Sequence, residues 1–340
     1  MLEVMMKKWT FIYILVCVFG FSACNEDEIK PSYADEERLE GLLDLSKPLV
    51  KEYKEKYGVN ILYNFHDTLD FKFGFYSTTS NALWSNLVIH HLNSAEVVDY
   101  ALEKLDEMVF TYFKDEFKQR LPYKMLLSDI VELGASNPDN LMAESDVVET
   151  GTVSVIGNTY SYMFAFNKEA MESFAEAKLK SLRDVKLYHL ISHVVKQHNL
   201  YKEIPEDFYA QVDYLHEESV DTVAMMEDEL PVGTGPYARY YTPEWYMGLG
   251  MALTMNSPKR SAASSYQQRL QTNNSLKFPD RERDFRNFIC VMVFTKESDL
   301  RNYYLPSPLF CERMRIVMDL LESWGVDVLK INPALAMFNE

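Results

Sequence analysis

Along residues 181–197 the apolar positions Leu187, Leu190, Ile191, Val194 and Val195 follow i, i+3, i+4, i+7 and i+8, the stripe of an α-helix packed on a core. Ser181-Leu182-Arg183-Asp184 has the form of a capping box and predicts that this helix starts there. A separate helix is predicted just before it, over 167–180. Upstream, a charged amphipathic stretch predicts a helix over 43–57, and Asn93-Ser94-Ala95-Glu96 reads as a cap with its glutamate at the third helical position, opening a helix to about 114. Alternation over 59–65 suits a strand, and the short apolar run 124–133 suits another. Strands 152–156 and 160–166 flank Gly157-Asn158, the signature of a hairpin. Downstream, helices are predicted over 243–255, where Pro258 blocks further extension, and over about 280–294 and 309–324. The order predicts an α+β fold: a mixed half over 43–166 with a small sheet, then a mainly helical half over 167–340.

Composition narrows the class. The chain has 340 residues, 47% of them hydrophobic and 14% aromatic, enough for one large core. Its formal charge of −17 would repel phosphate, so no nucleic acid is expected as a partner. Lys7 and Lys8 precede an apolar run over 9–20, then Phe21-Ser22-Ala23-Cys24. The run is shorter than the roughly 17–25 residues that span a bilayer, and it has the layout of a secretory signal. Cysteine directly after Ser-Ala resembles the processing site of a bacterial lipoprotein, with Cys24 lipidated after loss of residues 1–23; an ordinary signal peptide cut nearby is the alternative. Residues 24–42 then form a lipidated acidic tether, and 43–340 a single domain. Asn25-Glu26-Asp27-Glu28 resembles the tag that sends some lipoproteins to the outer face of the outer membrane, and a plain solvated tether fits it too. Loss of Lys7, Lys8 and Glu3 with the signal removes a net +1 and takes the charge from −17 to −18. In an oxidising compartment Cys290 and Cys311 would form a disulfide or remain two buried thiols.

Within the predicted helix, His189 and His193 stand one turn apart on the side away from the densest apolar stripe, and Leu190 lies between the two faces. Two imidazoles at this spacing can bind one zinc ion, with a third ligand from elsewhere. Two structural, hydrogen-bonded histidines are the alternative. His198 falls on the apolar side of the helix and suits a ligand poorly. Structural roles are expected for His90 and His91, and exposure for His216.

The chain resembles a family of Gram-negative surface lipoproteins, the zinc-binding metallopeptidases or substrate-import-associated zinc metallohydrolases. The resemblance runs from about 61 to 327. It is carried by Ile61-Leu62-Tyr63-Asn64-Phe65, Ala82-Leu83-Trp84, Tyr112-Phe113-Lys114-Asp115-Glu116-Phe117, Leu121-Pro122, the histidine helix, the segment from Pro236-Tyr237-Ala238 to Pro258, and Ser323-Trp324-Gly325-Val326-Asp327. It implies a zincin-like domain of the gluzincin type and an association with outer-membrane nutrient import. The family's His-Glu-x-x-His is here His189-Leu190-Ile191-Ser192-His193, and its later Glu-Asp-Phe-Ala-Glu is Glu244-Trp245-Tyr246-Met247-Gly248. Carried over, His189, His193 and Glu244 would ligate Zn2+, and Tyr237, seven before Glu244, would donate to the oxyanion. Leu190 replaces the general base, worth about 10²–10⁴-fold in rate. Gly248 replaces a supporting carboxylate, worth about 10–100-fold in affinity or activity.

Three functions follow from this pattern. A catalytically impaired relative would bind a peptide or glycopeptide beside an import complex. An active metallopeptidase would need another base, from Glu203, Glu206, Asp207, Glu217 or Glu218. A purely structural import component would keep only a remnant of the site. Tyr240, Tyr241, Trp245 and Tyr246 crowd the segment around Glu244 and would stack a ligand or pack as a cleft wall.

Overall fold

The computed structural model describes residues 34–72, 87–133, 145–149, 152–158, 160–212, 214, 217–219, 250, 252, 275–277 and 281–339. The chain divides into two compact units, 1–42 and 43–340. In the first, Ala34–Leu42 is helical. The second is α+β: a mixed sheet with helices around it. No helix among the described residues is long and apolar enough to cross a membrane.

Seven strands form the main sheet: β1 (Asn60–Leu62), β2 (Leu87–His90), β3 (Lys124–Ser128), β4 (Ile130–Leu133), β5 (Ser145–Glu149), β6 (Thr152–Gly157) and β7 (Ser161–Ala165). β1, β3 and β7 are parallel neighbours, whereas β7, β4 and β5 all run antiparallel to β6. Val153 pairs with both Val131 of β4 and Val147 of β5, so those strands take opposite edges of β6. Ile156 pairs with Ser145 of β5 and Met163 of β7, which puts β7 on the same edge as β4. The single strand expected over 124–133 is therefore two. β3 pairs with β7 as far as Ala165, and after Asp129 the chain takes up the edge of β6 that β7 has left. Continuous pairing with β7 would forgo those bonds to β6.

The hairpin between β6 and β7 forms as expected, closed by Asn158. Its Oδ1 accepts from the backbone N–H groups of Tyr160 (2.8 Å) and Ser161 (2.9 Å), and its Nδ2 donates to Phe71 O (2.9 Å). The expected strand over 59–65 shortens to β1. The helix expected over 43–57 starts at Pro48, where the fixed φ of proline suits a first turn. Ser94 rather than Asn93 caps the next helix, accepting from Val97 N, and Glu96 pairs instead with Lys168. That helix ends at Met108, short of 114, because the chain is drawn into a bridge between Phe113 and Val326, with Lys114 N donating to Gly325 O (2.7 Å). Gly325 sits at φ +92, and a Cβ there would come within 2.8 Å of Phe117 N.

The two helices expected over 167–180 and 181–197 break elsewhere. The first is Lys168–Ser173, capped by Asn167, and the histidine helix is one piece, Glu176–Gln197. Ser181 is an exposed interior residue, and Asp184, rather than closing a capping box, accepts from Lys180 and Arg183. The histidine helix packs against the helix Arg281–Phe294, which packs against Pro308–Ser323. Of the helix expected over 243–255, Gly250 and Ala252 are described; Gly250 has φ +76, a left-handed value at which an α-helix cannot continue. A small antiparallel pair, β8 (Glu217–Ser219) and β9 (Ser275–Lys277), completes the strands of the described residues.

Candidate metal centre

The histidine helix is anchored by the predicted stripe: Leu187, Leu190, Ile191, Val194 and Val195 are all fully buried in the main core. Its opposite side departs from expectation. His189 is only 2% exposed and His193 7%, because this side lies along β6 rather than facing solvent. Leu182, Lys186, His189 and His193, at i, i+4, i+7 and i+11, share one stripe. Leu182 and Lys186 meet Thr152, Val153 and Ser154 around one cavity, and His193 meets Gly157. Eleven residues of helix span about 16 Å and five steps of strand about 17 Å. The stripe therefore matches β6 from end to end.

His193 is held by aromatic and glycine contacts. Its ring lies 4.8 Å from that of Tyr162, tilted by 54°. A Cβ on Gly157 would stand 2.5 Å from Tyr162 Cδ2 and 3.3 Å from His193 Nδ1, so this approach requires glycine. His189 meets Tyr188 edge-on at 5.1 Å, and Tyr188 packs on Phe294 at 5.5 Å. Between the histidines Ser192 is buried too.

The donor set fits a metal in part. His189 and His193 supply two imidazoles from one stripe, the arrangement that a helix offers to zinc. Lys186, fully buried three residues before His189, stands on the same stripe. Among the described residues no group of three His, Cys, Asp or Glu side chains is placed to hold a metal. The expected third ligand Glu244, the oxyanion donor Tyr237, Gly248 and the aromatic group of Tyr240, Tyr241, Trp245 and Tyr246 lie outside the described residues, as do Cys24 and His216.

Position 190, where the resemblance puts a general base, is among the described residues. Leu190 lies in the core with 0% exposure. Of the acids named as substitutes for it, Glu203 accepts from the Trp324 indole N–H (2.8 Å), Glu206 faces Arg281 at 3.5 Å, and Asp207 is exposed. Glu217 and Glu218 lie on β8, in register with Lys277 and Leu276.

Among the described residues, His90, His91, His198 and the two cysteines take structural places. His90 meets Glu132 at 3.1 Å, and His91 meets Asp67 at 2.7 Å. His198 differs from expectation: it stands past the helix end, exposed, with Nε2 donating to Arg120 O (2.9 Å). Cys290 and Cys311 are both buried thiols.

Lys186, Gly157 and Tyr162 were not singled out by the sequence. Lys186 had a signal, since it precedes His189 by three and His193 by seven. Compared with known protein families, curated proteins and solved structures, the chain matches none.

Proposed function

We propose that the chain is an outer-membrane surface lipoprotein, anchored through lipid on Cys24, with a degenerate zinc-metallohydrolase site that binds a peptide or glycopeptide for a nutrient-import complex. One observation carries the loss of hydrolysis: the residue after His189 is Leu190, fully buried in the core, where the zinc peptidases that the sequence resembles place their general base. A hydrocarbon there cannot take a proton from an attacking water. His189 and His193 remain one turn apart and would hold Zn2+ with Glu244, the ion serving to polarise a bound carbonyl or carboxylate.

The sheet supports binding of an extended chain. Among the described residues no strand pairs with the outer edge of β5, the neighbour of β6, and the histidine helix runs along β6 and approaches β5. A peptide laid against that edge would gain backbone hydrogen bonds without any cleavage.

The test is incubation of zinc-loaded protein with a mixed peptide library and with glycopeptides, reading binding by mass spectrometry of the retained fraction and cleavage by the appearance of new termini. Retention without new termini is expected. New termini that vanish in a His189→Ala/His193→Ala variant would establish an active peptidase with another base.

A structural role in the import complex is the second reading, favoured by the burial of both histidines and the packing of His193 on Tyr162. It predicts neither zinc nor retained peptide.

A further inference from the structure

Where the histidine helix passes the helix Lys168–Ser173, β4 and β6 bound a half-open cavity of about 170 Å³. Val131, Val153, Met171 and Leu182, all buried, make its wall apolar. Lys186 belongs to the same wall and is fully buried, its Nζ 5.0 Å from the centre of the Phe166 ring. Already out of water, it loses no hydration to a guest.

At the mouth stands Asp129, half-buried. Its Oδ1 accepts from Asn167 Nδ2 (2.9 Å), and Asn167 Oδ1 accepts from Ala170 N (2.7 Å), so the amide is held at both ends. Among the described residues nothing donates to Asp129 Oδ2. The carboxylate is thus fixed through one oxygen and offers the other at the entrance of an apolar cavity. An apolar cavity with one oriented ionisable group is the usual form of a small-molecule site.

The chemistry of the guest follows from Asp129. A neutral apolar guest would fill the cavity but shut water away from the carboxylate without replacing it. A carboxylate would meet the charge of Asp129 and that of Glu169, which acts on the same group. The other charge acting there is that of His90, itself engaged with Glu132 at 3.1 Å. Burial pushes the Asp129 carboxyl above its ordinary value against the opposing pull of Asn167 and His90, and Glu169 adds to the rise; an ammonium on Oδ2 would draw it back down. Size agrees. A cavity of about 150 Å³ accommodates benzene, so about 170 Å³ takes a branched aliphatic or small aromatic group.

We propose that this cavity binds an apolar primary amine, its ammonium on Asp129 Oδ2 and its apolar branch against Val153, Met171 and Leu182. Two sources carry that chemistry: a small free amine, and the N-terminus of a peptide whose first residue is apolar. The site uses neither histidine, so it stands or falls apart from the zinc reading.

The experiment is calorimetry of the whole protein with four probes: leucinamide, isopentylamine, N-acetyl-leucinamide and glycinamide. Leucinamide and isopentylamine are expected to bind at millimolar concentration. N-Acetyl-leucinamide, which lacks the ammonium, is expected to bind about tenfold or more weakly, as for loss of a charge-assisted hydrogen bond. Glycinamide, which lacks the branch, should be weaker by a similar factor. Asp129→Asn is expected to bring leucinamide down to the level of its acetyl derivative. Tighter binding of leucinamide than of isopentylamine assigns the site to peptide N-termini, and the reverse or a tie assigns it to free amines; both sustain the ammonium site. No heat with either amine, equal binding of N-acetyl-leucinamide or glycinamide, or an unchanged affinity in folded Asp129→Asn would overturn it. The probe comparisons on the parent protein decide even where the variant fails to fold.

Discussion

Replacing Leu190 by glutamate restores the His-Glu-x-x-His pattern in the sequence, and the structure predicts that it will damage the protein. Leu190 is fully buried among Leu187, Ile191 and Val194. A carboxyl group fully buried among apolar side chains has its pKa raised by about 3–5 units, and each unit corresponds to about 1.36 kcal/mol. From an ordinary value of about 4.3 the shift leaves the folded carboxyl neutral at pH 7, so the ionisation lost on folding costs up to about 4 kcal/mol there and about 4–7 kcal/mol above the folded pKa, against a typical total stability of about 5–15 kcal/mol. The sign with pH follows. A folded-state pKa above the unfolded value means that the stability is kept at acid pH and lost as pH rises through the carboxylate range and beyond. Urea unfolding of parent, Leu190→Glu and Leu190→Met, followed by circular dichroism near pH 7 and again near pH 4, reads both effects. The methionine variant should lose less than about 1.5 kcal/mol. The glutamate variant should lose several kcal/mol at pH 7, and the gap should narrow at pH 4. A glutamate variant as stable as the parent at pH 7, or a penalty unchanged by pH, would show that position 190 opens to water and would refute the reasoning.

Other consequences are as direct. Gly157→Ala forces a Cβ to within 2.5 Å of Tyr162 Cδ2 and should destabilise by about 1–3 kcal/mol, with a shift of the His193 imidazole resonances that a mild surface substitution would not cause. Arg313 is fully buried, donating to Phe208 O (2.8 Å), Tyr214 Oη (2.8 Å), Asp284 Oδ2 (2.5 Å) and Gly250 O. Arg313→Met leaves Asp284 buried without its cation and should cost about 3–5 kcal/mol in denaturant unfolding. Cys290 and Cys311 should resist a brief alkylation pulse in the folded protein and react once unfolded, because both are buried and burial pushes the Cys311 thiol up. A peptide mass linking the two would contradict this.

What the sequence made legible is what local periodicity controls. The stripe of Leu187, Leu190, Ile191, Val194 and Val195 is the buried face because a helix at 100° per residue permits no other grouping. The hairpin was readable from Gly157-Asn158 because one asparagine side chain can close it. The second buried face was not readable, since Lys186, His189, Ser192 and His193 are polar and tertiary packing on β6 and its neighbours takes them out of water. Ser181 carries a genuine local start signal, but the helix already running from Glu176 overrides it. The break at Asp129 depends on where β7 ends, a pairing of Ser128 with Ala165 and Phe166, 37 and 38 residues away, that no local pattern encodes. The end of the helix at Met108 is likewise set by Val326 and Gly325, far along the chain.

The most direct measurement is the metal content of the purified protein after zinc supplementation and dialysis, by mass spectrometry, beside a His189→Ala/His193→Ala variant whose circular dichroism shows it folded. About one zinc per chain, lost in the variant, is the predicted result, since two imidazoles on one helical stripe plus a carboxylate suffice to hold the ion. No zinc in the parent, or equal zinc in both proteins, would contradict the metal site and leave the histidines as packing residues under β6.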